Sequence, residues 1–249
     1  MISTANEKYK FKTKIQFMKK SITFIAAFLL AINFTVAQDN CSKFYPMEEG
    51  TSFQYTNYDK KGKTEGTLNY TISSVTDNGS STTAAFDMKF VDKKGKDVFN
   101  SNYNITCENG VVRIDYKSLF PSQMMQQFSD MDVEMDITGT DIELPNDLSV
   151  GQELADANVS IAMSMSGIKM NTTVDQTNRK VEKKESITVP AGTFDCYLVT
   201  ETSTSKTMGA NIEMNTKLWL AEGVGMVKQE SYKKNGNLMS STELTKFSE

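Results

Sequence analysis

The chain has 249 residues, a net charge of −4 at pH 7 and no histidine. The lack of histidine removes the commonest general base and metal ligand at neutral pH, with every Ser–His and Cys–His dyad. Its only arginines are Arg113 and Arg179, so it also lacks the basic patch that nucleic acid requires. The sequence therefore predicts neither an enzyme nor a nucleic-acid-binding protein, and no metal or cofactor. A hydrolase built from two carboxylates is the enzyme class left open.

Residues 18–38 have the three parts of a secretory signal peptide. Two lysines precede an apolar run from Ile22 to Ile32, and small residues follow as far as Ala37. Because this run of 11 residues is shorter than the ~18 that span a bilayer, we expect cleavage rather than anchoring. Met18 is then the expected initiator, and residues 1–37 are removed as signal peptide and upstream extension.

The predicted mature chain, 38–249, is a single β-rich domain, with an internal joint near 143–151 as an alternative. It has 21 Lys and Arg against 30 Asp and Glu, a net charge of −9. We expect an exported protein that is periplasmic, associated with the outer membrane or secreted, with no transmembrane span after cleavage. Gln38-Asp39-Asn40 lacks the small apolar residues of a lipidation site, so direct lipidation of Cys41 is not expected.

Alternation of apolar and polar residues predicts strands along most of the chain. Three Asp-Lys-Lys-Gly or Lys-Lys-Asn-Gly sequences lie between such runs and predict hairpin turns, because glycine adopts positive φ without strain. The predicted strands are TSFQYTNY (51–58), TLNYTISSV (67–75), FDMKFV (86–91), FNSNYNIT (99–106), VEMDI (133–137), VSIAMSM (159–165), YLVTETST (197–204) and IEMNTKLWL (212–220).

The one good helix candidate is 118–131, which contains Met124, Met125 and Phe128. We therefore predict an all-β fold, a strongly curved antiparallel half-barrel with one packed helix. The charge-dense stretch 179–185 indicates an exposed edge of that sheet.

Three cysteines remain after signal cleavage: Cys41, Cys107 and Cys196. In an oxidising compartment two of them are expected to pair. We favour Cys107 with Cys196, because both fall in strand-like segments, although Cys41 could equally take a partner.

Methionines alternate within several strand-like segments and would line one face of a sheet: Met131, Met135, Met163, Met165, Met170 and Met214. Such side chains fill a core or line an adaptable apolar cavity, and a thioether copper(I) site at 163–165 is a further interpretation. The acidic run 130–136 places its carboxylates on one strand face, which favours a solvated strand over a calcium site. Trp219, the only tryptophan, is expected to be a core anchor or a cavity wall.

The stretches 187–197 (ITVPAGTFDCY) and 219–228 (WLAEGVGMVK) resemble an uncharacterised envelope family of Gram-negative bacteria catalogued as TapB-like. The resemblance extends over most of the mature chain. It implies a curved antiparallel sheet, similar in outline to periplasmic lipoprotein carriers whose half-barrel surrounds an acyl-binding cavity. The family has no established activity to transfer.

The sequence thus predicts non-catalytic binding of an apolar small molecule, a lipid or a lipidated partner in a concave β-sheet cavity. The alternative is a structural or assembly protein of the envelope with a solid core and a protein partner. The predicted ligand-binding residues are Met124, Met125, Phe128, Met163, Met165 and Trp219.

Overall fold

A computed structural model describes residues 41–116, 133–165 and 168–249. No α-helix occurs among these described residues. The helix predicted at 118–131 and the predicted signal peptide lie outside them. The strands are β1 Ser52–Asp59, β2 Thr64–Asp77, β3 Ser81–Asp92, β4 Asp97–Glu108, β5 Val111–Ile114, β6 Glu134–Gly139, β7 Ile142–Pro145, β8 Ala157–Met165, β9 Ile168–Val189, β10 Gly192–Thr207, β11 Ala210–Ala221, β12 Gly225–Lys233 and β13 Leu238–Ser248.

These thirteen strands form one antiparallel sheet in the order β6-β8-β9-β10-β11-β12-β13-β1-β2-β3-β4-β5-β7, which confirms the predicted all-β antiparallel class. The two end strands, β6 and β7, are separated in sequence only by Thr140 and Asp141. A flat sheet of this size would be about 58 Å wide. The chain from Gly139 to Ile142 can reach only about 11 Å. The sheet therefore bends until its two ends lie close together, although they are not hydrogen-bonded to each other.

The three predicted hairpin turns have the geometry that their sequences favour. Gly62, Gly95 and Gly236 have φ values of 75, 81 and 82°. In the first turn, the Asp59 carboxylate accepts hydrogen bonds from the main-chain nitrogens at positions 61 and 63, at 2.8 and 2.9 Å. These hydrogen bonds lower the pKa of Asp59. Each turn reverses the chain between neighbouring strands of the sheet.

Residues 41–47, here called the N-terminal strap, pack into the core without forming a strand. The Phe44 side chain is fully buried and makes an edge-to-face contact with Tyr197 at 5.7 Å between ring centroids. Asn146 fixes the strap from the side, because its side chain accepts a hydrogen bond from the Lys43 nitrogen at 2.8 Å and donates one to the Cys41 oxygen. Burial of one such phenyl ring contributes about 1.5–3 kcal/mol.

The disulfide joins Cys41 to Cys107, so the predicted pair of Cys107 and Cys196 was wrong. Cys107 lies in β4 and Cys196 in β10, and six strands separate β4 from β10 in the sheet order. The strap brings Cys41 to Cys107, with 5.8 Å between their Cα atoms. Cys196 is a buried free thiol, and its burial raises the pKa to about 11.

Residues 179–185 form an edge of the sheet over only part of their length. They belong to β9, which pairs with β10 on one side throughout. On the other side, β8 pairs only with positions 168–176, and Glu153 forms a bridge to Lys180. Several of these charged side chains are exposed, whereas Arg179 and Val181 are buried. Within the described chain no strand pairs with residues 182–185 on that second side, so the predicted exposed edge is confirmed for these four residues.

Candidate functional site

An apolar strip lies on one face of β6, β8 and β9. It resumes on β11 beyond β10, which contributes Ser203, Ser205 and Thr207 to the same face. Directly paired residues of an antiparallel sheet share a face, and so do alternate residues of each strand. Apart from Ile137, which is buried, and Ile212, which is exposed, the strip side chains are half-buried. The apolar strip consists of Met135, Ile137, Val159, Ile161, Met163, Met170, Val174, Ile212 and Met214.

Rows of paired residues build the strip from one end to the other. The first row is Met135, Met163 and Met170, one residue from each of β6, β8 and β9. The second row pairs Ile137 with Ile161. It continues to Thr172 and Thr207, whose hydroxyl groups are 3.0 Å apart and hydrogen-bonded. The strip is therefore apolar at the first row and gains hydrogen-bonding groups along its length.

The local sequence explains why these strands present one apolar face. In β6, Met135 and Ile137 alternate with Glu134, Asp136 and Thr138, and these three polar side chains are exposed. A period of two residues places the two sets on opposite faces. The acidic run predicted to form a solvated strand face is thus confirmed for the residues of β6.

The tip of the β10–β11 hairpin lies beside the strip. Met208 and Gly209 have positive φ values of 47 and 83° between the paired residues Thr207 and Ala210. Two successive positive φ values are typical of the type I′ turn, which suits a two-residue hairpin. The turn leaves Met208 76% exposed, and the nearby Ile212 of the strip is 58% exposed.

At its other end the strip meets buried polar groups. Gln176, in the row with Ser203 and Met214, has a buried Oε1 with no hydrogen-bond partner within the described chain. Two residues further along β10, Glu201 lies opposite a bulge in β9, where Asn178 has a φ of 54°. Bulges re-aim the side chains that follow them. Here Arg179 lies in the bulge beside Asn178 and is 95% buried.

The Arg179 guanidinium is held by three oxygen atoms. Its Nη1 donates to the main-chain oxygen of Ala155 at 2.5 Å and its Nη2 to that of Glu143 at 3.3 Å. Its Nε lies 3.5 Å from a carboxylate oxygen of Glu201 but makes no hydrogen bond within the described chain. Burial raises the pKa of Glu201, and the charge of Arg179 partly opposes that shift. Burial also raises the pKa of nearby Tyr45 to about 12.

The predicted ligand-binding residues are only partly brought together. Met163 lies in the apolar strip, and Met165, the last residue of β8, pairs with Ile168. Trp219 is buried in β11, but it is five residues from Met214 and so projects from the opposite face of that strand. Its Nε1 donates to Glu185 at 2.9 Å. The remaining predicted residues, Met124, Met125 and Phe128, lie outside the described residues.

The sequence placed Met135 and Met170 among the alternating methionines but not among the predicted ligand-binding residues, and it assigned Arg179 no role in this region. The two methionines have a usable signal, since both belong to alternating segments, but their alignment with Met163 depends on strand register. Arg179 has no such signal, because the bulge that buries it is visible only in the structure. Among the described residues, no group of three or more Cys, Asp or Glu side chains is placed to hold a metal ion.

Several grooves on the described surface are lined mainly by polar residues. One groove of about 520 Å³ has Lys180, Thr200, Thr202, Asn215 and Lys217 among its lining residues. Such a lining does not match the predicted apolar cavity. The apolar strip is therefore the region of the described structure that best matches the predicted chemistry.

A family model described as DUF3108-like matches residues 48–244. The chain belongs to the DUF3108-like family. The TapB-like name expected from the sequence stays a prediction. No curated protein matches this DUF3108-like chain. The described residues include no helix long and apolar enough to cross a membrane.

Two solved structures resemble this DUF3108-like chain in fold. One is a candidate lipoprotein from Parabacteroides distasonis ATCC 8503, with 27% identity. The other, with 20% identity, is a candidate exported protein with a YmcC-like fold from Bacteroides fragilis NCTC 9343. Each match has a TM-score of 0.67 and covers 84% of this chain and 100% of the other. The chain therefore shares their fold.

Proposed function

We propose that this DUF3108-like chain is an exported, non-catalytic protein of the cell envelope that binds an apolar group along the apolar strip. The ligand class is a lipid, or the lipid moiety of a partner protein. The observation that carries the proposal is the alignment of apolar side chains from the neighbouring strands β6, β8 and β9 on one face of the sheet. The buried polar groups of Gln176 and Arg179 at one end suit an amphiphile, because an acyl chain can follow the strip while its polar head meets hydrogen-bonding groups.

Two observations support export. The Cys41–Cys107 disulfide is a bond that persists in oxidising compartments such as the periplasm. The Parabacteroides distasonis relative is described as a candidate lipoprotein, which is consistent with an envelope location. In the disulfide-bonded protein the Cys41 sulfur cannot also carry a covalently attached lipid. The proposed lipid-binding site is therefore the apolar strip and not a lipid anchor at Cys41.

A fluorescent fatty acid titrated into the purified protein tests the proposal. Saturable binding is expected, and Val174→Asp should weaken it at least tenfold, because a carboxylate on an apolar surface carries a desolvation cost of several kcal/mol. Thr173→Asp is the matched control: it is the adjacent residue of β9, on the opposite face. It should bind the probe as the parent does. Absence of saturable binding, or equal binding by both variants, would contradict the proposal.

The alternative function, a structural or assembly protein, is favoured by the density of the core. Phe44, Ile72 and Phe86 are each no more than 2% exposed, and the strap occupies space that a ligand would need in that part of the sheet. Native mass spectrometry of the protein from its own envelope fraction separates the two functions. A co-purifying lipid supports the strip as a binding surface, whereas a stoichiometric protein partner without lipid supports the assembly function.

A further inference from the structure

The first row of the apolar strip contains three methionines in direct register. Met163 of β8 is paired with Met135 of β6 on one side and with Met170 of β9 on the other. All three side chains are half-buried. These residues, here called the methionine row, place three thioethers on one face of the sheet. The first and last of them, Met135 and Met170, are 35 residues apart in sequence.

The spacing of the row allows the three sulfur atoms to approach one another. Neighbouring strands are about 4.8 Å apart, and paired Cβ atoms are about 4.5–5.5 Å apart. Met163 occupies the central strand, so each of its partners is one strand away. Methionine has three rotatable bonds and no branch, which lets the outer two sulfur atoms turn toward the central one.

The surroundings of the row select for a soft ligand. Thioethers prefer soft metal ions such as Cu(I), whereas carboxylates and carbonyls suit Mg²⁺, Ca²⁺ and Mn²⁺. The nearest carboxylates in sequence, Glu134 and Asp136, project from the opposite face of β6. Lys169, paired with Ser164, also belongs to the opposite face. Among the described residues, neither this row nor the next one on the same face contains a carboxylate. The nearest oxygen donors there are the Thr172 and Thr207 hydroxyl groups, which are hydrogen-bonded to each other.

We propose that the methionine row is a thioether site for a soft monovalent cation, Cu(I) or its analogue Ag(I). Partial burial excludes water from one side of the row, which favours a weakly hydrated monovalent ion over a strongly hydrated divalent one. The site goes beyond the proposed lipid-binding function and does not depend on it, although the row forms one end of the same strip. Binding involves no change in the oxidation state of the ion.

Titration of the purified protein with Ag(I) alone, and with Cu(I) alone under anaerobic conditions against a chromophoric chelator, tests the site. One equivalent should bind. Met163→Leu should weaken binding at least tenfold, because leucine conserves volume but removes the central sulfur. Met208→Leu is the control, since Met208 lies at an exposed hairpin tip outside the row. It should leave the affinity within about twofold of the parent.

A spectroscopic measurement locates the bound ion. In protein labelled at the methionine methyl groups, Ag(I) should shift the resonances of Met135, Met163 and Met170 and leave that of Met208 unchanged. No saturable binding, shifts confined to other methionines, or full affinity in the Met163→Leu variant would overturn the proposal. Circular dichroism of each variant confirms that the fold is retained.

The two proposals fail in distinguishable ways. Met163→Leu keeps the strip apolar, so fatty-acid binding should remain within about twofold of the parent while Ag(I) binding is lost. Val174→Asp lies two rows away and should show the reverse pattern. Loss of both activities in both variants that retain the fold would overturn the assignment of the methionine row as a site separate from the lipid surface.

Discussion

Arg179 of β9 donates a hydrogen bond from Nη2 to the main-chain oxygen of Glu143 in β7, at 3.3 Å. β7 is one end of the sheet, and β9 is the third strand from the other end. This single side chain therefore connects two regions that lie ten strands apart in the sheet order and that share no ladder. It also pairs with Glu201, so its charge is compensated where it is buried.

Replacing Arg179 with alanine should destabilise the protein by about 3–5 kcal/mol, because Glu201 would be left as an uncompensated buried charge. Equilibrium unfolding in urea measures the change. Arg113→Ala is the matched control, since that side chain is 33% exposed and its ion pairs with Glu108 and Glu143 are partly solvated. Its cost should be no more than about 1 kcal/mol. Equal costs would show that Arg179 does not tie the two ends together.

Tyr45 should contribute a pH-dependent part of the stability. Burial raises its pKa to about 12 in the folded protein, against an ordinary value near 10. The stability that Tyr45 provides is therefore fully present below pH 10 and is lost as the pH rises through 12. In the Tyr45→Phe variant this loss is absent, so the variant should gain on the order of 2 kcal/mol relative to the parent between pH 10 and pH 12.

Unfolding at a series of pH values, with absorbance near 295 nm to follow tyrosinate, measures that difference. Between pH 7 and pH 9 the difference in free energy of unfolding between the parent and Tyr45→Phe should stay constant. If this difference stayed constant up to pH 12, Tyr45 would ionise as easily in the folded protein as in the unfolded one.

The Cys41–Cys107 disulfide closes a loop with a sequence separation of 66 residues. Removing it by Cys41→Ser should lower the free energy of unfolding by about 4 kcal/mol, within the usual range of 2–5 kcal/mol, because the unfolded chain gains conformational freedom.

Thiol labelling of the parent protein tests the pairing itself. Without reductant, the unfolded protein should expose one reactive thiol, that of Cys196. In the folded protein this thiol should react slowly, because it is buried and its pKa is raised. Two or more reactive thiols without reductant would reject the Cys41–Cys107 pair.

The strap approaches the sheet closely at Gly225. A Cβ atom at that position would lie 2.8 Å from Cδ1 of Tyr45, and Gly225 has a φ of 82°. Gly223 has a similar φ of 74° but no atom within 4 Å of a built Cβ. Both Gly→Ala variants incur about 1–2 kcal/mol of backbone strain. Gly225→Ala should cost a further 1–3 kcal/mol or so, because Tyr45 must move. Thermal unfolding of the two variants isolates that contact.

The sequence predicted what short-range patterns determine and missed what depends on register. Alternation located eight strands, and the glycine turns located three reversals, because both are properties of a few consecutive residues. The Cys107 partner was mispredicted because the strap that delivers Cys41 has no regular pattern. Pairings between distant segments determine which face of the sheet Trp219 and Met163 occupy, and they align Met135 with Met170. The burial of Arg179 depends on one bulge at Asn178.

The pairing of the first strand with the last has a kinetic consequence. Ser52 of β1 lies opposite Ser248 of β13, near the middle of the sheet. Contacts between residues so far apart in sequence form late, since loop-closure entropy is lost before they stabilise the chain. Because a chain emerges from the ribosome with its N-terminal end first, β1 lacks one neighbour until β13 has also been synthesised. The topology thus delays completion of the sheet until that strand is available.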